Sequence, residues 1–79
     1  MKKIKIRYIE HRKGFFAIQR KTLFGWKFIT FEVGGYDGSV IFRYSEKSKN
    51  KVLKKVLDKY YKTCKKYVTI VEYPSLRIY

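Results

Sequence analysis

Residues 52–64 read VLKKVLDKYYKTC, and they decide the fold because they form the one long run of the chain with a helical period. Their apolar side chains fall on a single stripe of a helix, while lysines occupy most of the remaining positions. One side of this helix therefore requires a core, and the other side presents ammonium groups to solvent. The stripe consists of Val52, Leu53, Val56, Leu57, Tyr60, Tyr61 and Cys64.

Two serines mark where the helix begins, since the hydroxyl of Ser45 or Ser48 can accept a hydrogen bond from an unpaired amide of the first turn. Glu46 favours the earlier start, because a carboxylate is stabilised near the positive end of the helix dipole. The lysines at the far end of the helix match the negative end of the same dipole. The distribution of charges along this segment and the spacing of its apolar residues therefore predict the same helix.

Two strands come first along the chain, over residues 3–10 and 15–21, because apolar and polar side chains alternate there with a period of two. Between them lies Gly14, which can adopt the positive φ that a tight hairpin requires. We expect the even-numbered apolar side chains of both strands to face the core. The odd-numbered side chains then face the opposite side of the sheet.

Gly25 is the next residue that can reverse the chain, and a third strand is predicted after it over residues 26–33. Both faces of this strand are partly apolar, and we expect Ile29 to face the core. The glycine-rich stretch 34–38 predicts a turn that leads into a fourth strand over residues 40–44.

The last strand is predicted over residues 67–73, where Pro74 ends it by removing a backbone donor. The whole chain, residues 1–79, is then a single α+β domain: an antiparallel sheet of about five strands in the order ββββαβ, with one amphipathic helix packed on one face. The last strand could pair in parallel with the fourth through a right-handed crossover, or it could lie at an edge beside the first. The pattern leaves both arrangements open.

Charge is the dominant feature of the composition, with 20 lysines and arginines against 6 acidic residues and a formal net charge of +14. Such a basic domain has the electrostatic character of a protein that binds phosphates, so a polyanion, DNA or RNA, is the expected partner. The excess of lysine over arginine, and the many isoleucines and tyrosines, are equally what an AT-rich genome would produce.

Enzymatic chemistry is not expected, and we predict no catalytic residue, metal site or cofactor. His11 lies next to basic residues in a predicted turn, and Cys64 belongs to the apolar stripe, where it is expected to pack in the core. The glycine-rich stretch leads into a strand and not into a helix, so it lacks the helix N-terminus of a phosphate site. One cysteine excludes an internal disulfide, so we expect a cytoplasmic protein. No apolar run is long enough to span a membrane, so we expect no membrane partner.

Two surfaces are candidates for binding: the lysine side of the helix, and the sheet face away from the helix, where aromatic rings and cations alternate. Single-stranded nucleic acids bind such faces because bases stack on rings while lysine and arginine contact phosphates. The alternative is an acidic protein partner, or self-association as a homo-oligomer, through the exposed aromatic face. The candidate residues are Lys5, Arg7, Trp26, Lys27, Phe28, Arg43, Lys54, Lys55, Lys59, Lys62, Lys66, Tyr67 and Tyr73, with Phe15 on the same face.

The segment 19–27, which reads QRKTLFGWK, resembles small basic accessory proteins carried by bacteriophages and other mobile elements of AT-rich bacteria. The resemblance covers part of the chain and contains no functional motif. It implies a small cytoplasmic protein that its host can lose, and for the protein-binding alternative it implies a host or virion protein as partner.

Overall fold

The computed structural model describes residues 2–33, 35–39 and 41–78 as an α+β domain with one helix packed on a mixed sheet. This confirms the predicted fold class. The elements in chain order are β1 Lys2–Arg12, β2 Phe15–Thr22, β3 Gly25–Phe28, β4 Thr30–Val33, β5 Tyr36–Ser39, β6 Phe42–Arg43, α1 Glu46–Val56, a π-helical turn Leu57–Tyr61, a 3₁₀ turn Lys65–Tyr67, and β7 Val68–Arg77.

The helix begins where the sequence predicts, because the side chain of Ser45 accepts a hydrogen bond from the amide of Ser48. Four residues of the stripe, Val52, Leu53, Val56 and Leu57, are buried against the sheet, and the two tyrosines that follow pack at the border of the core. These residues meet the even-numbered side chains of β1 and β2, namely Ile4, Ile6, Tyr8, Phe16 and Ile18.

The end of the helix differs from the prediction, which extended the stripe to Cys64. The chain widens into a π-helical turn at Leu57–Tyr61 and stops at Lys62, which has a left-handed backbone with φ of 49°. Cys64 therefore lies beyond the helix and is exposed, so its predicted place in the core is wrong. The stripe ends earlier because the left-handed residue turns the chain away from the sheet.

The sheet has the order β3-β2-β1-β7, and β6 pairs with β2 beside β3. β2 is antiparallel to its neighbours, whereas β7 runs parallel to β1, from Lys2 opposite Val68 onward. The helix carries the chain back to the end of the sheet where β1 starts, so β7 must run in the same direction as β1. Of the two arrangements left open, the last strand takes the edge beside the first, and the sheet is mixed and not purely antiparallel.

The predicted third strand is interrupted at Ile29, which is buried and donates its amide to the carbonyl of Ile18. After it, Thr30 turns its backbone to the helix: its amide donates to the hydroxyl of Tyr60, and that hydroxyl donates to the carbonyl of Thr30. β4 therefore leaves the main sheet and pairs with β5 as a separate hairpin. The turn predicted over 34–38 is wrong in part, because Tyr36–Ser39 is a strand.

The fourth predicted strand is reduced to Phe42–Arg43, and Val40 lies outside the described residues. The last strand, in contrast, is longer than predicted, since it continues through Pro74 to Arg77. Proline is tolerated there because β7 lies at the edge of the sheet, and the register against β1 shifts between Arg7 and Ile9. Tyr67, predicted as the first residue of this strand, belongs instead to the 3₁₀ turn.

Candidate functional site

The sheet face away from the helix, which we call the open face, brings together side chains from four strands. Strand alternation and register place on it the odd-numbered residues of β1 and β2 and the side chains paired with them. Its members are Lys3, Lys5, Arg7 and Ile9 of β1, Phe15, Ala17, Gln19 and Lys21 of β2, Trp26 and Phe28 of β3, and Thr69, Val71, Tyr73 and Leu76 of β7.

Arg7 lies at the centre of this face and is held by two neighbours. Its Nε donates a hydrogen bond of 2.7 Å to Oε1 of Gln19, and its guanidinium carbon lies 4.4 Å from the ring centroid of Trp26. Gln19 is itself buried, so the acceptor is fixed in place. Within the described part of the chain, the two terminal nitrogens of Arg7 have no hydrogen-bond partner. The guanidinium is therefore oriented by its inner edge, while its outer edge remains available to an anion.

Trp26 and Tyr73 meet above the sheet although they belong to its two opposite edges. Their ring centroids are 5.2 Å apart at an interplanar angle of 77°, which is an edge-to-face contact. Lys21 places its ammonium group 5.5 Å from the Trp26 ring. Trp26 is half-buried and Tyr73 is 39% exposed, so both rings present part of their surface to solvent.

A small second core lies on the open face next to Arg7 and Gln19, and the sequence pattern did not predict it. Ile9 and Ala17 pair in register on the open face, yet their exposed fractions are only 0% and 2%. Because the helix packs on the other side, the cover must come from neighbouring side chains of the open face itself. His11 belongs to this face as well, half-buried, with its ring 6.3 Å from that of Phe28, and not in the turn.

The charges of the sheet are separated between its two sides. The open face carries Lys3, Lys5, Arg7 and Lys21 and receives no carboxylate from β1, β2, β3 or β7, because Glu10 and Glu72 point to the helix side. Those two glutamates serve other contacts: Glu10 pairs with Arg77, and Glu72 lies close enough to Tyr8 to affect its hydroxyl. The open face is therefore uniformly positive across these four strands.

Burial has its clearest electrostatic effect on Tyr8, on the helix side of the sheet. Burial raises the pKa of the Tyr8 hydroxyl from 10.0 to about 12, and the negative charges of Glu72 and Glu46 add to the rise. The ammonium group of Lys49 lies 4.5 Å from the ring centroid of Tyr8. This cluster contributes to packing and lies on the opposite side of the sheet from Arg7 and Trp26.

The structure divides the residues predicted for binding into two separate sets. The strand register gathers Lys5, Arg7, Trp26, Phe28 and Tyr73 on the open face, with Arg43 opposite Phe15 at its margin. Two others do not join them: Lys27 pairs with Arg20 on the helix side, and Tyr67 lies in the 3₁₀ turn with the ammonium group of Lys66 5.0 Å from its ring centroid.

The lysines of the helix form the other set, on the far side of the domain. Lys54, Lys55 and Lys62 are exposed, but Lys59 donates a hydrogen bond of 2.7 Å to the carbonyl of Thr30 and so supports the fold. A short ligand cannot contact both sets at once, because the sheet and the helix separate them. Beside the helix, Cys64 helps to line a groove of about 470 Å³ together with Leu53 and Leu57.

Three residues that the sequence did not single out for binding belong to the site, namely Lys3, Gln19 and Lys21. Gln19 orients Arg7, and Lys21 adds a cation beside Trp26. A signal for Gln19 was present, because an uncharged polar residue stands in the middle of an otherwise apolar and basic strand. Among the described residues, no group of three or more histidine, cysteine, aspartate or glutamate side chains could hold a metal ion.

No helix in the described ranges is both long enough and apolar enough to cross a bilayer. A scan against protein-family models, a search of curated proteins and a search of solved structures each found no match to this chain.

Proposed function

We propose that this protein is a non-enzymatic binding protein and that it binds single-stranded DNA or RNA across the open face. The observation that carries the proposal is the arrangement of Arg7, which is oriented by buried Gln19 and stacked on Trp26 while its outer nitrogens have no partner among the described residues. Such a guanidinium matches a phosphate oxygen pair in geometry and charge.

The surroundings of Arg7 supply the remaining requirements of single-strand binding. The partly exposed rings of Trp26 and Tyr73 provide surfaces on which bases stack, and Lys3, Lys5 and Lys21 lie where they can follow the phosphates. The lysine side of the helix is a weaker candidate, because it mixes its cations with Asp58 and Glu46 and one of its lysines is bonded to Thr30.

Fluorescence titration tests the proposal directly, since Trp26 is the one tryptophan of the chain. A single-stranded oligonucleotide should quench its emission, and Arg7→Lys should weaken binding about tenfold or more, because lysine keeps the charge but loses the fork and the bond to Gln19. Arg77→Lys, the same exchange at an exposed position that pairs with Glu10 on the helix side, is the matched control and should leave the affinity unchanged.

Salt dependence then separates the two lysine sets. For single strands each phosphate contact contributes about 0.7 to the slope of log K against log salt, so Lys3→Gln with Lys5→Gln should flatten the slope by about 1.4. The matched pair Lys54→Gln with Lys55→Gln removes the same charge from the helix and should leave the slope unchanged. The reverse result would move the site to the helix, and no binding at low salt would refute the proposal.

The second candidate, a protein partner with an acidic surface or a second copy of the chain, is favoured by the edge strand β7. Its side chains Tyr73 and Leu76, and Ile78 just beyond it, are exposed by about 40–50% although they are large and apolar. Exposed apolar surface of this kind is typical of protein interfaces. Sedimentation of the protein in the absence of nucleic acid would detect self-association, and Leu76→Ser should abolish it.

A further inference from the structure

The tip of the β2–β3 hairpin is the most exposed apolar feature of the described chain. The loop consists of Leu23 and Phe24, whose exposed fractions are 99% and 88%. The fold does not need these side chains, because the turn is closed by other groups: the Thr22 hydroxyl donates to the carbonyl of Gly25 and accepts from the amide of Phe24, and Gly25 has φ of 102°. Polar residues or glycine are the usual choice in such loops. Two large apolar residues there require a separate reason.

The charges around the tip indicate the charge and the shape of the surface that the tip can bind. No acidic residue occurs from Phe15 to Phe28, and cations lie on both faces of the hairpin: Lys21 on the open face, and Lys27 on the helix side. A partner that contacted only one face of the hairpin would leave half of these cations unused. Cations on both sides of an apolar tip instead match an extended anionic surface that lies across the end of the hairpin and admits the tip.

The spacing along the hairpin agrees with an anionic lipid bilayer as that surface. Trp26 and Lys21 pair two residues back from the loop, which in a strand corresponds to about 7 Å. Apolar groups of proteins that lie on a bilayer are buried about 5–10 Å into the boundary between headgroups and acyl chains. When Leu23 and Phe24 enter the acyl region, the lysines and the tryptophan are therefore at headgroup level, where such side chains are favoured.

We propose that the Leu23–Phe24 tip inserts into the surface of an anionic membrane, with Lys21 and Lys27 contacting lipid phosphates on its two sides. This mode of attachment requires no membrane-spanning segment, so it is compatible with the absence of a spanning run that led us to expect no membrane partner. Insertion does not depend on nucleic-acid binding, because Leu23 and Phe24 lie at the end of the hairpin and are not part of the open face, although Lys21 and Trp26 belong to both surfaces.

Vesicle binding of the full chain tests the insertion. We expect cosedimentation with vesicles of equal parts phosphatidylglycerol and phosphatidylcholine, little with phosphatidylcholine alone, and a blue shift of Trp26 emission on binding. Leu23→Ser with Phe24→Ser should weaken partitioning at least about tenfold, because two apolar side chains no longer leave water. Ile41→Ser removes an exposed apolar side chain that belongs to neither proposed surface and should have no effect. The thermal melt of the tip variant should equal that of the wild type, which excludes unfolding as the cause.

The charge contribution has its own matched pair of variants. Lys21→Gln with Lys27→Gln should weaken vesicle binding more than Lys54→Gln with Lys55→Gln, which removes equal charge from the helix. Equal vesicle binding by the tip variant and the wild type would overturn the proposal, because it would leave only general electrostatic attraction. It would also be overturned if the tip variant lost oligonucleotide binding, or binding to a purified protein partner, while the wild type bound no vesicles.

Discussion

Removal of a single hydroxyl group, in Tyr60→Phe, should detach the backbone of Thr30 from the helix and destabilise the domain. In the native structure the Tyr60 hydroxyl accepts a hydrogen bond of 2.8 Å from the amide of Thr30 and donates one of 2.6 Å to its carbonyl. The carbonyl keeps a donor in the variant, because Lys59 also bonds to it at 2.7 Å. The amide loses its acceptor.

The expected cost follows from that difference. A partly buried amide left without an acceptor costs about 1–3 kcal/mol, whereas the loss of one of two donors to a carbonyl costs less. In a domain of this size each 1 kcal/mol lowers the melting temperature by about 4–8 °C, so the variant should melt at least about 4 °C below the wild type. Most of the effect should be local to the start of β4.

Chemical denaturation and amide hydrogen exchange measure the two parts of this prediction. Tyr61→Phe is the matched control, because that ring is also half-buried and its hydroxyl has no hydrogen-bond partner within the described part of the chain. Tyr60→Phe should lower the free energy of unfolding and remove the exchange protection of the Thr30 amide, and Tyr61→Phe should do neither. Equal stabilities of the two variants, or a Thr30 amide that stays protected, would refute the reasoning.

Three further predictions concern packing, pH and exposure. Leu57→Ala should lower the free energy of unfolding by about 2–5 kcal/mol, because the side chain is fully buried, whereas Lys55→Ala at an exposed position should lower it by almost nothing. Equal thermal melts of the two variants would mean that the helix is not docked as described. The pKa of Tyr8 is about 12 in the native state and 10.0 when unfolded, so the stability that its neutral hydroxyl contributes is complete below pH 10 and is lost as the pH rises to 12. Between pH 10 and pH 12 the wild type should therefore lose more stability than Tyr8→Phe. Exposed Cys64 should react with a thiol reagent in the native protein as fast as in denaturant, and slow reaction would place it in the core after all.

The spacing of apolar residues was enough to predict the helix and the strands in which one face is apolar and the other polar. The helix start at Ser45, the core side of β1 and β2, and the turns at Gly14 and Gly25 all follow from local patterns, and the structure confirms them. The helix end was not predictable in this way, because Tyr60 and Tyr61 continue the apolar stripe and only the left-handed Lys62 stops it. Cys64 was misplaced for that reason.

On the open face, too, local patterns predicted which side chains share a face but not which of them are in contact. The alternation of β1 and β3 was sufficient to put Arg7, Trp26 and Phe28 on one side of a sheet. It could not predict that Tyr73, from the last strand, meets Trp26, or that Gln19 orients Arg7, since these contacts depend on strand order. The burial of Ile9 and Ala17 beneath this face was missed because the pattern assigned a core only to the helix side.

By itself, then, the sequence determined the fold class, the helix with its buried stripe, the faces of the first two strands and the strong positive charge. Those properties depend on composition and on side-chain periods of 3.6 and 2, which are local. Only the tertiary structure decided that β7 runs parallel to β1 at the edge and that the predicted third strand breaks at Ile29. Strand order and chain breaks depend on contacts between residues far apart in sequence, such as Tyr60 with Thr30, and no local period encodes such contacts.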